Sequence, residues 1–442
     1  MNWSPELDCD LPKYQAILKA LSRAIETGEL KANDRLPAQR DLAYRLNINL
    51  STVTRAFNHA IKQGLISGEV GRGTFVMPES SEARLFARGE NMQIRRDFST
   101  LGPMSVDSQL ISSVMRQLPP DEIEQIFHYP NDLQIHRAEQ AVAHWSRWRG
   151  YDPAGKTTVL TVGAQAALYV TLAMMTNPGQ TILTESFTFP GIKTVARFTG
   201  TRLQGVECDN YGLLPDALEQ AARQTGAKIL VTVSNLQNPM ALITSDQRRK
   251  ELAKVIENCN ITVIEDDIYG AFVQKPPLVS QLEGQHICIN SLSKCFSPGL
   301  RFGYLIGNHP AVAQIKKEIA MTSWFSSPIM MLTSAHLILS GRAQIEALRQ
   351  INAIEQRWKT VQRIFDGAGK TPLTHLWLSV RNAESFVAQA RERHIELVPS
   401  SFFSVGRRSE NFVRCALTAP KEEQDFAQGL KIIKELGAEL SH

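Results

Sequence analysis

Hydrophobic positions recur at helical spacing early in the chain and at strand spacing further on. Tyr14, Ile17, Leu18, Leu21 and Ile25 fall at i, i+3, i+4, i+7 and i+11, which predicts an amphipathic helix over residues 12–27. A second short helix follows Pro37 over residues 38–46, with Leu42, Ala43 and Leu46 on its inner face. A third spans 51–63, with Ser51 placed to cap its start and Gly64 to stop it. Leu65–Ser67 and Thr74–Val76 read as short strands around the turn-forming Gly68, Gly71 and Gly73. Residues 78–96 are polar, mixed in charge and poorly periodic, which predicts a connector. From about residue 155, β-rich runs alternate with helical patterns. The strands expected are 158–162, 181–184, 229–233, 262–265, 287–291 and 302–306. That alternation predicts an α/β body, an open and mostly parallel sheet flanked by helices.

The 442 residues exceed one ordinary domain, and a hydrophobic fraction of 43% with 21% charged residues is that of a globular protein. The six cysteines are scattered, which suits reduced thiols and offers no zinc pattern. The acidic start MNWSPELDCD lacks an apolar core, and no apolar run approaches the roughly 18 residues of a membrane span. A cytoplasmic protein is therefore expected. The net charge of +4 says little by itself. Its distribution says more. Arg35, Arg40, Arg45, Arg55, Lys62 and Arg72 face only Asp41 and Glu69 over residues 35–72, an excess equal to that of the whole chain. A solvated helical face would read the same way.

Two short helices and a glycine-tipped hairpin predict a winged helix-turn-helix, whose third helix would enter the major groove of DNA. Ser51, Thr52 and Thr54 can hydrogen-bond phosphates or bases, and Arg55 can reach guanine or a phosphate. Arg72 and Gly73 at the wing tip allow close approach to the minor groove. The stretch from ETGELKANDRLPAQRDLAYRLN to INLSTVTRAFNHAIKQGLISGEVGRGTFV resembles the GntR family of regulators over residues 12–76. The resemblance implies DNA contacts at Arg40, Thr52, Arg55 and Gly73. Ala38 departs from it, standing where the family usually has a small hydroxyl residue.

In open α/β sheets ligands sit at the carboxyl ends of the strands, and several polar residues fall there. Ser291-Leu-Ser293-Lys294 is followed by Pro298-Gly-Leu-Arg301. A lysine at the end of a buried strand has its pKa lowered, and Schiff-base chemistry needs a neutral amine. A lone lysine in a surface loop is the plain alternative, but Arg301 and the two serines add donors suited to a phosphate. Gly163-Ala164-Gln165 ends one strand and opens a helix, an anion cradle of backbone N–H groups. Asp266 and Asp267 precede Tyr269. One of these carboxylates suits a pyridinium nitrogen, spacing favours Asp266, and capping of the next helix is the other reading. Asn238 is held by Pro239. Phe189 is either core or a stacking platform. Arg414, in mid-strand, suits bidentate capture of a carboxylate.

In this order the residues resemble the class I/II aminotransferases of pyridoxal 5′-phosphate (PLP) fold type I, over roughly residues 97–440. The resemblance implies a PLP cofactor in Schiff-base linkage to Lys294 and Asp266 at its ring nitrogen. Asn238 and Tyr269 would hold its 3′-oxygen, and Gly163, Ala164, Gln165, Ser291 and Arg301 its phosphate. Arg414 would take a substrate carboxylate. Tyr129 matches a tyrosine that reaches the neighbouring subunit's phosphate, which implies a homodimer. Where the family reads Asn-Pro-Thr-Gly, this chain has Asn238-Pro-Met240-Ala241.

The expected organisation is a head at 1–77, the connector, and a body at 97–442. The body would divide into a large part at about 130–320 and a small α+β part at about 335–442. A GntR-like head on an aminotransferase-like body resembles the MocR arrangement of bacterial regulators. It implies a promoter-binding sensor of an amine, an amino acid or PLP, with amino transfer residual at most. An aminotransferase with an appended DNA-binding domain is the alternative.

Overall fold

The computed structural model describes residues 3–5, 7, 8, 11–26, 29, 30, 34–62, 65–69, 73–76, 96–319, 324–406 and 411–439. Its contacts divide the chain into two units, 1–87 and 88–442.

In the first unit, α1 (Lys13–Glu26), α2 (Gln39–Arg45) and α3 (Leu50–Lys62) precede a two-stranded antiparallel wing of β1 (Ile66–Glu69) and β2 (Gly73–Val76). The apolar stripes meet in one core of Ile17, Leu21, Leu42, Val53, Phe57 and Ile66. One expectation fails at α3. Its cap is Asn49, not Ser51: the Asn49 Oδ1 accepts from the Ser51 N–H at 3.2 Å, and the Asn49 carbonyl accepts from the Thr52 N–H at 3.0 Å. Ser51 is already in the first turn and exposed. Arg72 and Gly64 lie outside the described residues.

In the second unit, seven strands form the central sheet. They are β4 (Thr157–Thr161), β5 (Thr181–Glu185), β6 (Arg202–Val206), β7 (Ile229–Thr232), β8 (Thr262–Asp266), β9 (His286–Ser291) and β10 (Gly303–Gly307), in the order β4-β10-β9-β8-β7-β5-β6. All neighbours are parallel except β10, which runs antiparallel to both β9 and β4. β10 follows β9 after the loop 292–302 and pairs with it antiparallel. The edge strand β6 was not among the strands expected, because within Arg202–Val206 only Leu203 and Val206 are apolar side chains and only Val206 is fully buried.

The smaller lobe carries the long helix α4 (Arg342–Ile364) and the strands β11 (His375–Ser379), β12 (Ile395–Glu396), β13 (Val398–Pro399) and β14 (Phe412–Ala416). β14 lies between β11 and β13. Arg96, counted with the connector above, already belongs to this lobe. Strand β3 (Arg96–Asp97) pairs in parallel with β12, and Phe98 is buried in the lobe's core. The segment after β3 then continues to Leu101, whose side chain packs with Tyr269 and Leu236.

Candidate cofactor site and DNA-reading face

The register of the sheet sets the site. Ser291 ends β9 opposite Gly303, and Gly303 stands opposite Thr161 at the end of β4. The loops carrying Gly163 and Lys294 therefore leave the same edge, beside Asp266 at the end of β8. Gly163 sits at φ +95°, where L side chains rarely go, and a Cβ there would lie 2.4 Å from Arg301 Nη2. Arg301 Nη2 donates to the Val162 carbonyl at 2.9 Å. Ala164 opens the helix Ala164–Met175, so free backbone N–H groups point out beside a guanidinium. Ser291 and Ser293 are buried nearby, the Ser293 N–H donating to Ser291 Oγ at 3.2 Å. Gln165 donates to the Gly191 carbonyl at 3.2 Å, and Phe189 packs against the same glycine.

Lys294 Nζ donates to the Leu101 carbonyl at 2.8 Å and lies 5.9 Å from the Tyr269 ring centre. The two aspartates separate by their partners. Asp267 is engaged by Asn235 Nδ2 at 2.7 Å, Asn290 Nδ2 at 3.2 Å and Arg149 Nη2 at 3.4 Å, so it is part of the buried scaffold. Asp266 accepts from the Ile268 N–H. Burial pushes its carboxyl up to about 7, with Asp267 adding to the rise and the Lys294 charge opposing it. Glu265, buried on the other side of the strand, accepts from the Leu278 and Val279 N–H groups.

Arg414 is buried on β14. Its Nη1 donates to Asn238 Oδ1 at 2.7 Å, its Nη2 donates to the Ser99 carbonyl, and its guanidinium lies 4.9 Å from the Phe403 ring centre. Because Asn238 accepts through its oxygen, its amide nitrogen is left to donate. The sequence reading missed His375, a lone histidine in a strand. Burial and the Arg414 charge push its pKa down to about 3, so it is neutral. Its Nε2 is 3.1 Å from the Gln237 carbonyl and its ring is 6.4 Å from that of Tyr269. It thus braces the Asn238 loop from the small lobe.

This donor set fits PLP. It offers a cation and helix-end amides for a phosphate, a buried carboxylate for a ring nitrogen, an amide and a phenol, and an amine at strand's end. Tyr129 is not drawn into the set. It is exposed and stacks on Trp324, with ring centres 5.6 Å apart.

On the first unit, Asn49, Ser51, Thr54, Arg55, Asn58 and His59 line an open concavity on α3. Arg40, Ser51 and Arg55 are exposed and Thr52 half-buried. Thr54 is partly committed, donating to Gln39 Oε1 at 2.8 Å and so tying α3 to α2. The Arg55 guanidinium lies 4.1 Å from the Tyr14 ring centre. Gly73 has φ +118°, with Arg35 Nε 3.0 Å from where a Cβ would stand.

A mixed sheet with one antiparallel strand, a lysine on the β9–β10 loop and a smaller α+β lobe define a PLP protein of fold type I. The chain belongs to the class I and II aminotransferase family, whose model matches residues 102–433, and residues 13–76 match the gntR family of bacterial regulatory proteins. Together they make the MocR-type arrangement. The HTH-type transcriptional regulator YdeF of Bacillus subtilis is 27% identical, over 99% of this chain and 97% of its own. The vitamin B6 salvage pathway transcriptional repressor PtsJ of Salmonella typhimurium is 26% identical, over 73% of this chain and 74% of its own. The kynurenine aminotransferase of Pyrococcus horikoshii shares the fold with a TM-score of 0.74 at 18% identity, over 82% of this chain and 95% of its own.

Proposed function

We propose that the protein is a PLP-dependent, DNA-binding transcriptional regulator that senses an amine, an amino acid or PLP itself through Lys294. One observation carries this reading. A single chain holds both a winged helix-turn-helix with an exposed face on α3 and, at the ends of its central strands, an amine, a guanidinium and a buried carboxylate suited to the cofactor. PLP, when bound, supplies an aldehyde that condenses with primary amines. The chain's own residues do the rest. Gly163, Ala164, Gln165, Ser291, Ser293 and Arg301 orient a phosphate. Phe189 flanks the ring and Asp266 holds a proton at its nitrogen. Asn238 and Tyr269 fix the 3′-oxygen. Arg414 selects for a carboxylate. Arg40, Ser51, Thr52, Thr54, Arg55, Arg72 and Gly73 contact DNA.

Working as a homodimer is part of the proposal. Phe127, Tyr129, Leu133 and Trp324 are 65–82% exposed, which is costly for side chains this apolar unless a second copy covers them. PtsJ, named for the vitamin B6 salvage pathway, makes PLP itself a candidate effector. Among the described residues no helix is long and apolar enough to cross a membrane, and a cytoplasmic setting is part of the reading.

The test is a spectral titration of the purified protein with primary amines and amino acids, run with and without its own upstream DNA. The expected result is a change in cofactor absorbance that shifts DNA affinity, and reciprocally. Multiple-turnover amino transfer to a keto acid without any protected upstream segment would instead establish an enzyme.

A further inference from the structure

A second cavity, of about 250 Å³, opens between the two lobes of the body. None of the residues assigned to the cofactor lines it. Leu236, Ile243, Phe272 and Val273 of the large lobe form one wall, and Ile351, Ile354 and Pro372 of the small lobe form the other. An apolar cavity of about 150 Å³ already accepts benzene, so this one has room for a ring and a small head group.

Its polar residues are Gln274 on the large-lobe wall and Glu355, Thr371 and Thr374 on the small-lobe wall. Glu355 is the single ionised residue in the lining, it is exposed, and among the described residues it has no lysine or arginine partner. The Phe272 ring is the single aromatic surface in the same lining. An aromatic face, aliphatic walls and an unneutralised carboxylate select for an organic cation over an anion or a neutral polar molecule.

We propose that this interlobe cavity is a second ligand site, taking a small ammonium ion with an apolar substituent, its charge at Glu355 and Phe272. Two of its lining residues adjoin the neighbours of the groups proposed to hold the cofactor's 3′-oxygen. Phe272 packs beside Tyr269, with ring centres 6.4 Å apart. Thr374, in the lining, hydrogen-bonds His375 at 2.9 Å, and His375 braces the Gln237–Asn238 loop. A cation wedged between the lobes therefore bears on Tyr269 and Asn238 without entering their site. The proposal does not depend on the DNA-binding reading, because binding is measured without DNA.

Benzyltrimethylammonium chloride is the probe, since a quaternary ammonium cannot condense with an aldehyde. Calorimetric titration into the full-length PLP-loaded protein should give saturable binding with a dissociation constant of about 1 mM or below. Glu355→Gln, and Thr371→Trp at the exposed rim, should each weaken it at least about fivefold. Absence of binding at 20-fold the expected constant overturns the proposal, as does equal binding by all three proteins. Direct competition between the cation and PLP for the unloaded protein also overturns it, by placing the cation in the cofactor site.

Discussion

Replacing Gly163 with alanine tests the phosphate cradle at its tightest point. Two costs follow from the geometry and fall on different measurements. The backbone at φ +95° and ψ 163° lies in a region open essentially to glycine alone, so alanine there destabilises the fold by about 1–3 kcal/mol. The added Cβ would also sit 2.4 Å from Arg301 Nη2, and the guanidinium must move away. A displaced charge-assisted bond to phosphate is worth about 1.5–3 kcal/mol, which is roughly 10- to 150-fold in PLP affinity. The first cost is read from thermal melts without PLP and the second from PLP titration followed by absorbance. Arg301→Ala should lose comparable affinity with little loss of stability. The double variant should lose scarcely more affinity than Arg301→Ala alone, because the clash has gone with the guanidinium. Affinity within threefold of wild type in Gly163→Ala, or simple addition of the two single losses, would refute this account of the cradle.

Other expectations are independent of that one. Asp266 has its folded pKa raised from 3.8 to about 7, so its contribution is favourable below pH 4 and is lost as pH rises through 7. PLP-free Asp266→Asn should therefore gain stability relative to wild type between pH 4 and 8, by up to about 4 kcal/mol, and parallel pH–melting curves would contradict this. Asn49→Ala should cost the head about 1 kcal/mol in denaturant melts while Ser51→Ala costs little, and the reverse order would return the cap to Ser51. Arg55 leans on the Tyr14 ring at the helix surface, a posture suited to a phosphate. Arg55→Ala should reduce the slope of log affinity against log salt by about 0.9, and an unchanged slope would remove Arg55 from the phosphate contacts.

Much of the site was legible because its chemistry falls at strand ends, where local sequence shows it. Lys294, Gly163 and Arg301 announce themselves by spacing, and the structure sets them along one edge. Between Asp266 and Asp267 the spacing to Tyr269 already favoured Asp266, but the partners that occupy Asp267, Asn235, Asn290 and Arg149, are distant in sequence and were not legible there. His375 was invisible for the same reason, since its partner is the carbonyl of Gln237 more than a hundred residues away. At α3 the difficulty was competition between equals. Asn49 and Ser51 both can cap, and only the backbone decides which of them stands half outside the helix. The antiparallel strand β10 reads in sequence like the other buried strands, because its burial on both faces gives no sign of how it runs relative to its neighbours.

The stretch Arg96–Leu101 has a meaning beyond its place in the small lobe. Arg414 holds the carbonyl of Ser99 and Lys294 holds that of Leu101. Two groups assigned to the ligand site thus spend donors on one short piece of backbone. A Schiff base at Lys294 would withdraw its amine from Leu101, and an effector's carboxylate would compete with Ser99 for Arg414. Occupancy of the site would thus be felt first by the stretch Arg96–Leu101, which runs into the body from its N-terminal side.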